Sequence, residues 1–361
     1  MNADYVRVIA APDEDRRALF AATARRVGTT EQNVEKDFWV CWTLDALFRE
    51  LPAEGPRLLF KGGTSLSKAF GLIDRLSEDI DITVFRADLG EPAPVDELEA
   101  LSGKQRRARL NAIRDACRRY VHGDLRAQLA DIFEAVLETA GRRGHRSGVA
   151  VDESDPDSQT LLVHYPSVVE TRDAYIRPSV KVELGAKSAL DPHVSATVEP
   201  FVATELAASG LRVRGVTTIA PSRTFWDKVL ILHGLRCWFE RRGEMRQGGH
   251  RITRHYYDVH RLFRASGGDA MAANRSLALE CVRHTRMFFD RPDFDLAHAA
   301  PGTFALAPTL AMRERLEEDY ENMSGMIFGP IPSFQDVVQS VIELERRLNE
   351  SGPDPALAST P

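Results

Sequence analysis

The segment from residue 58 to 85, LLFKGGTSLSKAFGLIDRLSEDIDITVF, constrains this chain more than any other part of it. Leu58, Leu59 and Phe60 form a short apolar run that passes through Lys61 into Gly62-Gly63, a pattern that predicts a buried strand and a tight turn. From Thr64 onward Leu66, Ala69, Phe70 and Ile73 recur at three- and four-residue intervals, so a helix is expected directly after the glycines. Residues 79 to 85 alternate polar and apolar over their first five positions, the period of a half-buried strand. Asp79 and Asp81, two apart on that strand, project from one face.

Residue types of this kind in this order point to phosphate chemistry. Two carboxylates side by side suit Mg²⁺, with Mn²⁺ as the alternative, because hard cations take oxygen ligands and leave positions for water and phosphates. Gly62, Gly63, Thr64 and Ser65 sit where a strand turns into a helix, and backbone N–H groups at such a place can hold a phosphate. Lys61, which enters the turn, is grouped with them as nucleotide-binding. The spacing of GGTSLSK does not fit a Walker A loop. A phosphate cradle beside a metal clamp serves phosphoryl or nucleotidyl transfer. A third carboxylate completes such a site, and Glu183, alternating with Val182 and Leu184 in SVKVELGAK, is the candidate; pairing with Lys181 or Lys187 is its structural alternative.

The rest of the chain supplies a scaffold of α/β type. Residues 31 to 50 read as a strongly amphipathic core helix, and residues 102 to 140 as helical. The stretch GRRGHRSGVAVDESDPDS reads as a polar loop, and TLLVHYPSV with YIRPSVKVEL as two strands that extend the sheet. From Phe225 onward the pattern is mainly helical. The expected division is a core with N-terminal helices over 1–220, a helical C-terminal domain over 221–350 and a disordered tail over 351–361. Residues 102 to 120 carry seven basic residues against the single acid Asp115, and a second basic stretch runs from 236 to 254.

Composition narrows the setting. The chain has 361 residues, a formal net charge of −6 and no apolar stretch of membrane-spanning length, so nucleic acid can be attracted only by a local basic surface. The N-terminus has neither a basic nor a continuous apolar leader, which predicts a cytoplasmic protein. Cys41, Cys117, Cys237 and Cys281 lie far apart without a CxxC pair and read as reduced core thiols. The histidines show no zinc spacing.

The segment KGGTSLSKAFGLIDRLSEDIDI resembles the Gly-Gly-Ser/Thr plus Asp-x-Asp signature of the nucleotidyltransferase AbiEii/AbiGii toxin family, in the DNA polymerase β-like superfamily that includes the MenT toxins. VEKDFWV at 34 to 40, YPSV with VKVELGAK, and SRTFWDKVLILHG with RHYYDVHRLF extend the resemblance over residues 30 to 265, in family order. It implies a polymerase β-like core of mixed strands flanked by helices. Gly63, Thr64 and Ser65 would hold the triphosphate and Asp79 and Asp81 the metal. Lys228 would match the motif lysine that contacts nucleotide phosphate, and Asp258 the later motif aspartate, placed to orient Lys228 or to act as a base. Thr64 stands where several relatives carry serine. Arg223, ahead of the same helix, either binds phosphate or caps a surface, and Lys228 taken alone could be a snorkelling lysine. The implied activity is transfer of NMP from an NTP to the 3′ end of tRNA, blocking translation, in a toxin partnered by an AbiEi-type antitoxin. A transferase or kinase acting on a protein or small molecule, and a non-catalytic nucleotide-binding regulator, are the alternatives.

Overall fold

A computed structural model describes residues 2–75, 77, 79–142, 147–170, 177–206, 210–249 and 251–350. In chain order it contains α1 (Ala3–Ala10), α2 (Asp13–Val27), α3 (Glu31–Asp45), β1 (Leu58–Lys61), α4 (Gly62–Lys68), β2 (Ile80–Val84), α5 (Val95–Ala100), α6 (Gly103–Tyr120), α7 (Arg126–Thr139), β3 (Gly148–Val151), β4 (Thr160–His164), β5 (Ser179–Gly185), β6 (His193–Val198), β7 (Val213–Ile219), α8 (Pro221–Arg242), α9 (Thr253–Arg264), α10 (Gly268–Ala273), α11 (Arg275–Phe288), α12 (Leu310–Ser324) and α13 (Phe334–Glu350). They fall into two compact units, the first from residues 1–71, 76–94 and 101–219, the second from 72–75, 95–100 and 220–361. The tail expected over 351–361 lies outside the described residues. No helix among the described residues is long and apolar enough to cross a membrane.

The first unit is built on a seven-stranded sheet of order β3-β4-β5-β2-β1-β7-β6. β1 and β2 pair antiparallel at its centre and each is flanked by a parallel partner, β7 beside β1 and β5 beside β2. Period-two alternation explains the faces: Ile80, Ile82, Val84, Val180, Val182 and Leu184 are buried, while Asp81, Lys181 and Glu183 stand between them half-buried. The sheet is thus the mixed sheet flanked by helices that the family resemblance implies.

Three local expectations change. The helix after the glycines stops at Lys68 and does not continue to Ile73, because Gly71 turns the chain at φ +60°. The polar loop contains strand β3, which pairs antiparallel with β4 although only four residues long. Helix α3 is buried all round and not on one face. Its aromatic side carries Trp39, stacked on Tyr165 with ring centroids 5.2 Å apart and edge-on to Phe133.

The buried carboxylates Glu35 and Asp37 of α3 each have partners. Glu35 accepts from the N–H of Val168 at 2.8 Å and from the Ser167 hydroxyl. Asp37 holds the Lys68 ammonium at 2.6 Å and accepts from the N–H of Phe201 at 2.6 Å, and Lys68 lies over the Phe201 ring. This pair fastens α4, and so the glycine turn, to the core. Removing one partner strands a buried charge, so Lys68→Met is expected to lower stability in urea unfolding by about 3–5 kcal/mol. Adding Asp37→Asn, which keeps an acceptor for Phe201, should recover a large part of that loss.

Candidate functional site

Strand register assembles the polar face of the first unit. Lys61 on β1 faces Asp81 on β2, Asp81 faces Glu183 on β5, and Glu183 faces Thr160 on β4, a row of four polar side chains across four strands. Lys61 Nζ lies 3.7 Å from Asp81 Oδ1, and Lys181 Nζ lies 2.6 Å from Glu183 Oε1 and 3.9 Å from Asp152 Oδ2. Lys181 is partly buried, which by itself would lower its pKa; the hydrogen bond it donates to Glu183 and the charges of Glu183, Asp79 and Asp152 outweigh burial and raise it. A cavity of about 280 Å³ opens beside Lys181 and Glu183, lined also by Asp152, Asp155, Gln159 and Thr160.

The glycine turn is built around Asp81. Gly62 has φ +78°, and a Cβ placed on it would overlap the Asp81 carboxylate and lie 2.7 Å from its Cγ. Only glycine meets both demands. Thr64 is fully buried, and its hydroxyl donates to the Asp79 carbonyl and meets Ser77 Oγ at 2.8 Å. Ser65 Oγ donates to the Gly62 carbonyl at 2.9 Å. The hydroxyls at 64 and 65 are therefore committed to shaping the turn and to fixing the start of β2. Lys61, at the helix N-cap, gives no side-chain cap to the turn's amides.

Asp79, Asp81 and Glu183 are hard oxygen donors, and the register sets Asp81 beside Glu183 on one face. The aspartate pair fits the one or two carboxylates that Mg²⁺ takes alongside water and phosphate oxygens. No ready-made cage of three or more acidic, His or Cys groups exists among the described residues. Lys181 pairs with Glu183.

In the second unit, α8 begins with Pro221 at its first turn and ends at Gly243 with φ +69°, the usual helix start and stop. α9 is capped by Asp319, whose Oδ2 accepts from the N–H groups of Ile252 and Thr253 at 2.9 and 2.8 Å. Lys228 is buried and donates to Asp258 Oδ2 at 2.8 Å. Asp258 is fully buried and receives Arg75 through Nε and Nη2, both at 2.8 Å. Burial would raise the Asp258 pKa, but the charges of Arg75 and Lys228 and their hydrogen bonds hold the carboxyl well below the usual range. Burial lowers the Lys228 pKa, with Asp258 pulling it back.

Arg75 is the residue that sequence reasoning passed over. Segment 72–75 belongs to the second unit: Asp74 pairs with Arg261 at 2.7 Å and its carbonyl accepts from Phe328 N–H at 2.7 Å. The signal was an arginine four residues ahead of Asp79, inside the quoted motif. Arg223 is buried, bonds Asp227 at 3.0 Å and leaves Nη2 without a hydrogen bond among the described residues. Trp226, Tyr256 and Tyr257 are buried in the core.

Two outcomes follow. Gly62→Ala should displace Asp81 and lower stability by about 1–3 kcal/mol, read as a fall in the urea midpoint. Because the folded pKa of Asp258 lies below its unfolded value of about 4, its stabilisation is complete above that pH and is lost as pH falls through the folded pKa. The stability gap between the protein and Asp258→Asn should therefore be flat from about pH 5 to 8 and narrow only below about pH 4.

Comparison with known proteins adds family and fold. The family model for the nucleotidyl transferase AbiEii toxin of type IV toxin–antitoxin systems matches residues 45–340. No curated protein matches the chain. Among solved structures, MenT4, a nucleotidyltransferase toxin from Mycobacterium tuberculosis H37Rv, is similar with a TM-score of 0.53 over 94% of this chain and 91% of that one, at 14% identity. At that identity the likeness speaks for the fold alone.

Proposed function

The chain belongs to the AbiEii nucleotidyltransferase toxin family of type IV toxin–antitoxin systems, and on that premise we propose that it transfers a nucleoside monophosphate from an NTP to the 3′ end of tRNA, releases pyrophosphate and so blocks translation. The observation that supports the reading is the closeness of the turn at Gly62 to the Asp81 carboxylate, which would put phosphate-binding amides beside a metal ligand.

Asp79 and Asp81 would hold Mg²⁺ or Mn²⁺, with Glu183, which pairs with Lys181, as third ligand. Bound there, the metal would neutralise charge on the triphosphate. The backbone of Gly62 to Ser65 receives phosphate oxygens, and Lys61 offsets the charge of Asp81 beside them. Lys228 acts as a point charge on nucleotide phosphate, and Arg223 assists it. Asp258 serves to orient Lys228, because its oxygens already accept from Arg75 and Lys228 and its low pKa makes it a poor proton acceptor. The type IV family implies an antitoxin partner; we assign it to the AbiEi type and the pair to the cytoplasm.

Incubation with each α-labelled NTP, Mg²⁺ and total tRNA tests the reading on a denaturing gel. Label is expected on tRNA, with Asp79→Asn and Asp81→Asn each reducing it at least about a hundredfold. Transfer of γ-label instead would establish a phosphotransferase. Nucleotide binding with no transfer of either label would establish a regulator.

A further inference from the structure

The two basic stretches of the chain differ in how the fold uses them. In the second unit Arg236 pairs with Glu240 at 2.6 Å, Arg241 with Asp295 at 3.1 Å and Arg242 with Asp293 at 2.7 Å, so the three charges that open that stretch are each offset by an acid, while Arg246 lies over the Phe294 ring. Helix α6 of the first unit is different. It buries Ile113, Ala116, Cys117 and Tyr120. At about 100° per residue, Lys104, Arg107 and Arg118 lie on the opposite side, with Arg114 and Arg119 at its two borders. Lys104, Arg107, Arg118 and Arg119 are exposed, and Lys104, Arg107 and Arg119 pair with no acid among the described residues. Asp115 alone is shared between Arg114 and Arg118, at the long distances of 3.4 and 3.6 Å. Arg109 points elsewhere, to Glu91 and the Pro92 carbonyl.

From Lys104 to Arg118 the stripe runs about 21 Å, enough to follow several phosphates of a nucleic-acid strand. It is anchored to the carboxylate row. Gln159 Nε2 donates to the Arg114 carbonyl at 2.9 Å, and the Gln159 carbonyl accepts from the N–H of Leu184 at 3.1 Å, next to Glu183. None of the large exposed apolar side chains of the described residues lies on α6. A protein interface needs an apolar centre, whereas a phosphate backbone needs only ordered positive charge.

We propose that the outer face of α6 is the surface that holds the phosphate backbone of the RNA acceptor, an assignment that rests on the RNA reading above and adds where on this chain the RNA lies. The stripe acts by charge and without base readout, so its contribution is sequence-independent and salt-sensitive.

Binding of a fluorescein-labelled RNA hairpin with a single-stranded 3′ end, titrated at several salt concentrations, tests the assignment. The variant Lys104→Gln/Arg107→Gln/Arg118→Gln/Arg119→Gln should lower the slope of log K against log salt by about 3. Its KM for RNA should rise at least tenfold, with kcat at saturating RNA and KM for NTP unchanged. The charge-keeping variant Lys104→Arg/Arg107→Lys/Arg118→Lys/Arg119→Lys should restore the slope, which a folding defect of the first variant would not imitate. A control, Arg236→Gln/Arg242→Gln, should change the slope by less than about 1. An unchanged slope in the α6 variant, or an equal fall in the control, overturns the assignment of α6 while leaving RNA as acceptor. Loss of binding to polyglutamate with RNA binding intact also overturns it and makes α6 a face for an acidic protein. No salt-dependent RNA binding by the unaltered protein overturns both this assignment and the RNA reading.

Discussion

The backbone at residue 62 lies so close to the Asp81 carboxylate that a methyl group there would collide with it. That contact ties the end of β1, the start of α4 and the middle of β2 into one object, because the turn can take its left-handed form and approach the carboxylate only if the residue has no side chain. The neighbours depend on it. Thr64 reaches the Asp79 carbonyl from the first turn of α4, and Lys61 faces Asp81 across the antiparallel pair. The position of both aspartates is thus decided by the path of a backbone turn.

Buried charge pairs hold this arrangement to its scaffold and account for polar residues where a core would be expected. Asp37 with Lys68 fastens α4 to α3, and Glu35 fastens α3 to the chain after β4. Asp258 with Arg75 and Lys228 does the equivalent in the second unit. Buried charges are costly without partners and demanding in geometry with them, so such clusters select one arrangement of the elements they join. The family motifs around residues 35 to 37, 68, 75, 228 and 258 read naturally as the partners of these clusters.

Much of the central site was legible in the sequence because it is local. The strand, glycine turn and second strand within residues 58 to 85 follow from periodicity and glycine, and the place of Glu183 on the polar face of its strand follows from alternation. Other parts were not legible, for identifiable reasons. The four residues of β3 carry too little periodicity to distinguish them from a loop. The shortening of α4 depends on Gly71, which a pattern of apolar spacings does not weigh. The all-round burial of α3 requires partners for Glu35 and Asp37 at Ser167, Val168, Lys68 and Phe201, all distant in sequence. The partnership of Arg75 was not legible for the same reason, since Asp258 lies 183 residues away.

By itself the sequence determined the kinds of group available and their local spacing: a glycine turn after a strand, two carboxylates two residues apart where the second strand begins, and a helix with seven basic residues. Those follow from dihedral freedom and from the two backbone periods, which act over a few residues. Tertiary structure alone decided which charges meet. It set Asp81 between Lys61 and Glu183, gave Asp258 both Arg75 and Lys228, and offset three arginines of the second basic stretch while leaving the face of α6 charged. The physical reason is that electrostatic partnership depends on distance and burial, and both are properties of the folded chain.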